Sequence, residues 1–168
     1  MRSIRKHWWF LVALVCTLPG CAGMPATDSS CTVAVWELEH LGSAGGHGAE
    51  MGPLLTAKVM EGLETRSACG IVERQKLDRA LSELALGASQ LTAESTRLRI
   101  GQIAGARQMV FGAYQVFGPH MRVDLRLVDV STGTVLRTAE KSGSSTEVVQ
   151  WMRVAQEAAE QLAEDWPR

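Results

Sequence analysis

Polar and apolar positions alternate most cleanly between residues 107 and 138. Over 121–130, Met121, Val123, Leu125 and Leu127 fall on one side of an extended chain. Arg122, Asp124 and Arg126 fall on the other. Side chains on a strand repeat every two residues, so this pattern predicts a strand with one dry face and one wet face. Similar stretches at 108–117 and 134–140 flank it, separated by Gly118-Pro119 and by Ser131-Thr132-Gly133. Three antiparallel strands joined by two tight turns are predicted.

The rest of the chain supplies material to cover that sheet. Residues 32–38 are nearly continuous in apolar side chains (Val33, Ala34, Val35, Trp36, Leu38), as in a strand buried on both faces. A helix is predicted over 50–65, with Pro53 in its first turn and Met51, Leu55, Val59 and Leu63 on one face. A second strand at 70–73 completes a β-helix-β unit, which closes as a right-handed parallel crossover. Helices follow over 74–86 (Leu77, Leu81 and Leu84 inward, Gly87 as cap) and 93–104 (Thr92 as cap, Gly105 at its end). After the three strands, 142–145 reads as a linker, and Ser144 with Glu147 has the spacing of a capping box. The last helix, 146–166, carries Val148, Met152, Ala155, Ala159, Leu162 and Trp166 as a narrow stripe. That stripe packs on the chain's own sheet or forms a seam with a second copy. The expected fold is α/β: a mixed five-stranded sheet of order 2-1-3-4-5, with a carboxy-terminal antiparallel meander, packed by four helices.

The amino end changes the address of the protein. Arg2, Arg5 and Lys6 precede a short apolar run at 8–18 that is too short for a mature membrane helix. Leu18-Pro19-Gly20-Cys21 comes next and resembles a bacterial lipoprotein signal. The resemblance implies cleavage before Cys21 and lipid on its thiol. Ala22 after the cysteine, in place of Asp, implies sorting to the outer membrane. The alternative is an ordinary secretory peptide cut near Ala22 or Ala26. The expected organisation is a signal peptide at 1–20, a lipidated tether at 21–31 and one domain at 32–166. Three of the 17 basic residues and none of the 18 acidic ones precede Cys21, which leaves the mature chain at −4. No basic run is interleaved with aromatics, so nucleic acid is not an expected partner.

Cys31 and Cys69 then remain, in an oxidising compartment. Each stands just before a predicted strand. Parallel pairing of those strands would set the two side by side as a disulfide; the alternative is two free buried thiols.

Little in the sequence points to catalysis. Gly42, Gly45, Gly46 and Gly48 form a glycine-rich loop between strand and helix, where phosphates bind in other folds. The loop lacks the Lys-Ser/Thr ending and the G-x-G-x-x-G spacing of nucleotide motifs. His40 and His47 with Glu39 match no standard metal signature, and His120 is expected in an exposed turn. Glu73-Arg74 reads as a salt bridge or cap at a strand-to-helix corner. Asp124 and Asp129 fall on opposite faces of one strand and form no carboxylate pair. No enzyme, cofactor or metal is expected. The charged row Arg122, Asp124 and Arg126, extended to Arg137, is the candidate partner-binding surface.

An ordered set of short motifs carries a family resemblance. Ile71-Val72-Glu73-Arg74 with Leu77, Ala80, Leu81 and Glu83 is followed by Gly101, Gly105-Ala106 and Val110-x-Gly112. Residues 122–129 and Thr132-Gly133-Thr134-Val135 complete the set. Over about 32–140 the chain resembles the CsgG family of curli-secretion lipoproteins. It is also similar to the wider group with a TolB amino-terminal-type domain, which includes FlgO-like and LpoB-like lipoproteins. The resemblance implies a lipid-anchored protein on the periplasmic side of the outer membrane that binds a periplasmic or outer-membrane protein, with homo-oligomers left open. CsgG itself forms a pore from long membrane hairpins. This chain has no spare stretch for barrel strands of about 9–11 residues, so an assembly or export accessory factor without its own pore is expected. The alternatives are an LpoB-like regulator of a peptidoglycan synthase and a nucleotide- or metal-binding enzyme using the glycine loop.

Overall fold

The computed structural model describes residues 31–42, 48–84 and 93–166. The expectations for the signal, for lipid on Cys21, for most of the tether, for the loop centre with His47, for Gly87 and for Thr92 lie outside the described residues.

The elements run β1 (Thr32–Val35), β2 (Glu39–His40), α1 (Gly52–Arg66), β3 (Gly70–Ile71), α2 (Arg74–Leu84) and α3 (Glu94–Ile103). Then come β4 (Gln108–Phe117), β5 (His120–Asp129), β6 (Val135–Ser144) and α4 (Val148–Leu162). They form one mixed sheet of order β3-β1-β4-β5-β6, with β2 also paired to β4. Without β2 this is the expected 2-1-3-4-5 order. β1 is parallel to β3 and β4, while β4-β5-β6 is the antiparallel meander.

The expected first strand, 32–38, breaks in two. Val35 pairs with Val110, but Glu39 pairs with Ala113. Four steps on one strand thus face three on the other, which is a bulge. The Leu38 amide leaves the sheet and donates to the Thr56 hydroxyl on α1 at 3.0 Å. Gly112 makes this possible: a Cβ there would lie 3.1 Å from Leu38 and 2.6 Å from Leu125.

Met121, Val123, Leu125 and Leu127 are all buried, as the alternation predicts. Each contributes roughly 1.5–3 kcal/mol by leaving water. They pack beneath α1 and α4 with Leu55, Val59, Leu63, Val110 and Tyr114. α4 therefore covers its own sheet. Its buried stripe is wider than expected and includes Trp151, Val154 and Ala158, whereas Val148 is exposed. The opposite face holds a second core under α2 and α3: Ala34, Val72, Leu77, Ile100, Met109, Phe111, Val128 and Val130.

Several local expectations change. β6 extends through Ser144, so 142–145 is mostly strand and Ser144 caps nothing. The N-cap of α4 is Glu147, without a side-chain bond; its amide donates to Ser145 Oγ at 3.0 Å. α3 begins after Ala93 and also lacks a side-chain cap. It ends as expected: Gly105 takes φ +84°, with Gly105 N to Gln102 O at 3.0 Å and Ala106 N to Gly101 O at 2.9 Å. At the corner after β3, Arg74 pairs with Glu37 and not with Glu73.

The β1–β3 register, Thr32 opposite Gly70, sets the preceding cysteines side by side. Cys31 and Cys69 are disulfide-bonded, with Cα atoms 4.8 Å apart and a sequence separation of 38. The bond staples the two-residue edge strand β3 to its neighbour β1. In the chain-entropy account a loop of this length stabilises by about 4 kcal/mol. Cys69→Ser, or reduction of the wild type, should lower the unfolding free energy in urea by about that amount; unchanged midpoints would contradict the assignment.

The β5–β6 turn depends on one carboxylate. Asp129 Oδ1 accepts from the amides of Ser131 and Thr132, both at 2.9 Å, and from both hydroxyls. Gly133 closes the turn at φ +71°. Hydrogen bonding, led by the Ser131 hydroxyl, holds the Asp129 carboxyl below its usual pKa. A carboxyl depressed in the folded state stabilises above its unfolded pKa of about 3.9 and loses that contribution as pH falls through the folded value. Asp129→Ala should therefore lower Tm at pH 6, and the difference from wild type should shrink below about pH 4; thermal melts across this range check it.

Candidate interaction surface

The helices on the two faces are unequal in reach. α1 and α4 roof the meander on one side. On the other, α2 and α3 cover β3, β1, the beginning of β4 and the end of β5, and the outer half of the sheet is left open. The hairpin register assigns the residues of this open half. Phe111 lies opposite Arg126, Ala113 opposite Asp124, Gln115 opposite Arg122 and Phe117 opposite His120. Across the next pair, Arg126 meets Thr138, Asp124 meets Glu140 and Arg122 meets Ser142. On the near side Glu39 of β2 is level with Ala113. Directly paired residues share a face, so Glu39, Ala113, Asp124 and Glu140 form one transverse row over four strands.

A groove over this lattice is lined by Trp36, Arg97 and Phe111 at one end and by Asp124, Arg126, Thr138 and Glu140 along the side. Its arginines are all ion-paired. Arg122 reaches Asp124 at 2.7 Å and Glu140 at 3.0 Å, which relieves two carboxylates set directly opposite each other. Asp124 beside it raises the Arg122 pKa above its ordinary value. Arg126 pairs with Glu94 on α3 at 2.8 Å and lies over Phe111, 5.4 Å from the ring centre. Arg97 pairs with Glu39 and lies over Trp36 at 5.6 Å. The charged side chains are thus held in place, yet Arg122, Asp124, Arg126 and Glu140 stay roughly half exposed. Phe117 is 68% exposed at the far end of the same face.

Of the candidate row, Arg122, Asp124 and Arg126 stand together. Arg137 does not join them. It pairs with Leu127, so it points to the face under α4, where it donates to the carbonyls of Glu164 and Asp165 at the helix end. The cause is a register shift between Leu127 and Val128: Val128 pairs with Val135, so Leu136 is extra and every later residue of β6 changes face. Sequence reasoning missed Trp36, Glu94, Arg97 and Glu140, and considered Glu39 only as a metal ligand. The two-residue turn at Gly118-Pro119 was the available signal, because it sets Phe117 against His120 and hence Ala113 against Asp124.

Elsewhere, Asp129 is held in its turn and His120 opens β5, exposed. His40 packs on Tyr114 with ring centres 5.1 Å apart. The Tyr114 hydroxyl donates to the Gly48 carbonyl at 2.8 Å and is raised in pKa chiefly by burial. Among the described residues no three metal-ligating side chains converge, and no helix is long and apolar enough to cross a membrane.

The family model described as "Curli production assembly/transport component CsgG" matches residues 24–120 and 113–167. No curated protein sequence matches the chain. Among solved structures, the LpoB C-terminal domain from Salmonella enterica is similar at 16% identity and TM-score 0.55, over 70% of this chain and 84% of that one. Lipoprotein GNA1162 from Neisseria meningitidis is similar at 14% and 0.54, over 81% and 99%. A PelC variant from Paraburkholderia phytofirmans, a dodecamer, is similar at 15% and 0.53, over 83% and 91%. At such identities the likeness is one of fold.

Exposed ion pairs are worth about 0–1 kcal/mol each. Arg126→Ala and Glu94→Ala should therefore each cost less than about 1 kcal/mol in urea unfolding, with a coupling of at most a few tenths. A loss of several kcal/mol would instead mark the row as part of the folding core.

Proposed function

The chain belongs to the CsgG family, and from that premise we propose that it is a lipid-anchored accessory factor on the periplasmic side of the outer membrane. It assists assembly or export by docking another envelope protein, and it has no pore of its own. The observation that carries this reading is the open, ordered, ion-paired half of the sheet. A face built from three arginines locked onto carboxylates and aromatic rings is pre-organised, so binding there orders few side chains. The short turns between β4, β5 and β6 provide no hairpin long enough for a barrel strand. The lipid on Cys21 would hold the domain at the membrane, since each buried CH₂ contributes about 0.8 kcal/mol. The role requires no reaction and no cofactor.

A second reading, regulation of a peptidoglycan synthase, draws support from the fold shared with the LpoB C-terminal domain, 84% of which is matched. The few residues between Cys21 and Cys31 weigh against it, because they reach at most about 35 Å when fully extended. Self-association, as in the dodecameric PelC, is compatible with either reading.

Photo-crosslinking residues placed at Gln115 and Ser142 in living cells should give discrete adducts with another protein, while one at Glu157 should not. Cys21→Ala should release the chain from the membrane fraction and abolish the adducts. Adducts at Glu157 alone, or none anywhere, would contradict the docking surface.

A further inference from the structure

The docking reading, on which this inference rests, concerns one face of the sheet, and that face ends at a free edge. β6 is the last strand of the order β3-β1-β4-β5-β6. His120 lies opposite Ser144, so Pro119 lies opposite Ser145, and the Ser145 amide donates to the Pro119 carbonyl at 2.7 Å. In an antiparallel pair, hydrogen-bonded and non-hydrogen-bonded positions alternate. Arg137, Ala139, Lys141 and Gly143 therefore bond inward to β5. Thr138, Glu140, Ser142 and Ser144 turn their amides and carbonyls outward, and none of these backbone groups meets a partner among the described residues. The turn at Gly118-Pro119 agrees, because it makes Phe117 and His120 a bonded pair and leaves Met121 and Val123 to bond β6.

The outward residues also carry their side chains on the open face, since they stand opposite Arg126, Asp124, Arg122 and His120. A strand added here would extend that face without a step. The groove reaches round this edge, where Thr138, Ala139 and Glu140 line it together with Gln161 of α4. A second hollow follows towards the end of β6, lined by Phe117, His120, Arg122, Ser142 and Ser144. Its floor is low because Ser142, Gly143 and Ser144 are small, and Phe117 stands 68% exposed beside it. Edge strands are commonly blunted by proline, by a bulge or by a covering element. Here the bulge lies at the opposite end of β6, and no proline occurs in the strand.

The residues of β6 argue against a second copy as the occupant. Directly opposed residues share a face, so the two antiparallel registers that pair β6 most fully with another β6 set Glu140 opposite Glu140 or Lys141 opposite Lys141. Like charges directly opposite are destabilising. The other edge strand, β3, is only two residues long and offers little to a head-to-tail contact.

We infer that the partner docks by adding an extended segment of its own chain to β6. Backbone hydrogen bonds to Thr138, Glu140, Ser142 and Ser144 hold the segment, and one of its apolar side chains sits in the hollow beside Phe117.

Photo-crosslinking residues at Thr138 and Ser142 in living cells, with the adducts mapped by mass spectrometry, test this. Both adducts should fall in one segment of one partner, about four residues apart, because an added strand keeps step with β6. Ser142→Pro removes an outward amide, which a strand edge facing solvent tolerates. Its urea midpoint should stay near that of Ser142→Ala, yet it should lose the cellular crosslink at Gln115 that Ser142→Ala keeps. Thr138→Pro repeats the test at a second outward amide. If neither proline variant folds, the mapped spacing decides. Adducts from Thr138 and Ser142 in unrelated segments, or adducts of the chain with itself, overturn the inference. The crosslink at Gln115 separates the two levels. If it is present in the parent chain and lost in a folded proline variant, strand addition is supported. If it persists in both, strand addition fails and the docking reading stands. If it is absent from the parent chain, the docking reading fails and strand addition with it.

Discussion

β4 is the constraint on which the rest of the structure depends. It pairs with β1 and β2 on one edge and over all ten of its residues with β5 on the other. Its side chains therefore enter both cores: Val110 and Tyr114 beneath α1 and α4, Met109 and Phe111 beneath α2 and α3. A strand buried on both faces over its first half cannot slip by one residue without exchanging the two sets. Once its register is set, the hairpin fixes β5, β5 fixes the first part of β6, and the β1 pairing places the disulfide.

The same strand divides the protein into a closed end and an open end. Where β4 starts, helices cover the sheet on both sides. Beyond Phe111 only the α1–α4 side remains roofed, and the opposite surface changes from aliphatic to small and charged. Ala113 and Gln115 give little volume for a helix to pack on, and the arginines of β5 are held flat by their carboxylates and rings. The open half is consequently stable without a cover, which is what a reversible docking surface requires. Gly112, on the closed side of the same strand, admits Leu38 and so permits the bulge that brings Glu39 level with Asp124.

Much of this architecture was legible in residue patterns. The period of two in β5, the order of the strands and the side-by-side cysteines come from local rules, because each depends on neighbours in sequence or on a single crossover. What escaped depended on distant partners. The break after Val35 needs the Thr56 hydroxyl, a helix away. The side of Arg137 depends on one extra residue at Leu136, since a single inserted position reverses the face of every later one. Ser144 and Glu147 had the spacing of a cap, but pairing with β5 continues to Ser144 and keeps it in the sheet. The α4 stripe was read too narrowly because alanines at 155, 158 and 159 allow a close, broad contact that larger side chains would have spaced apart. The charged row is legible in the sequence, while its aromatic floor and the carboxylates that hold its arginines emerge only when β2 and α3 are brought beside it.

The central claim is that the open half of the sheet is covered in the cell envelope. Hydroxyl-radical footprinting of the lipidated protein in intact envelopes, compared with the purified chain, tests it directly. Phe117 should lose reactivity in the envelope, while Val149, equally exposed at the start of α4, should keep it. Equal reactivity of Phe117 in both preparations would contradict the account.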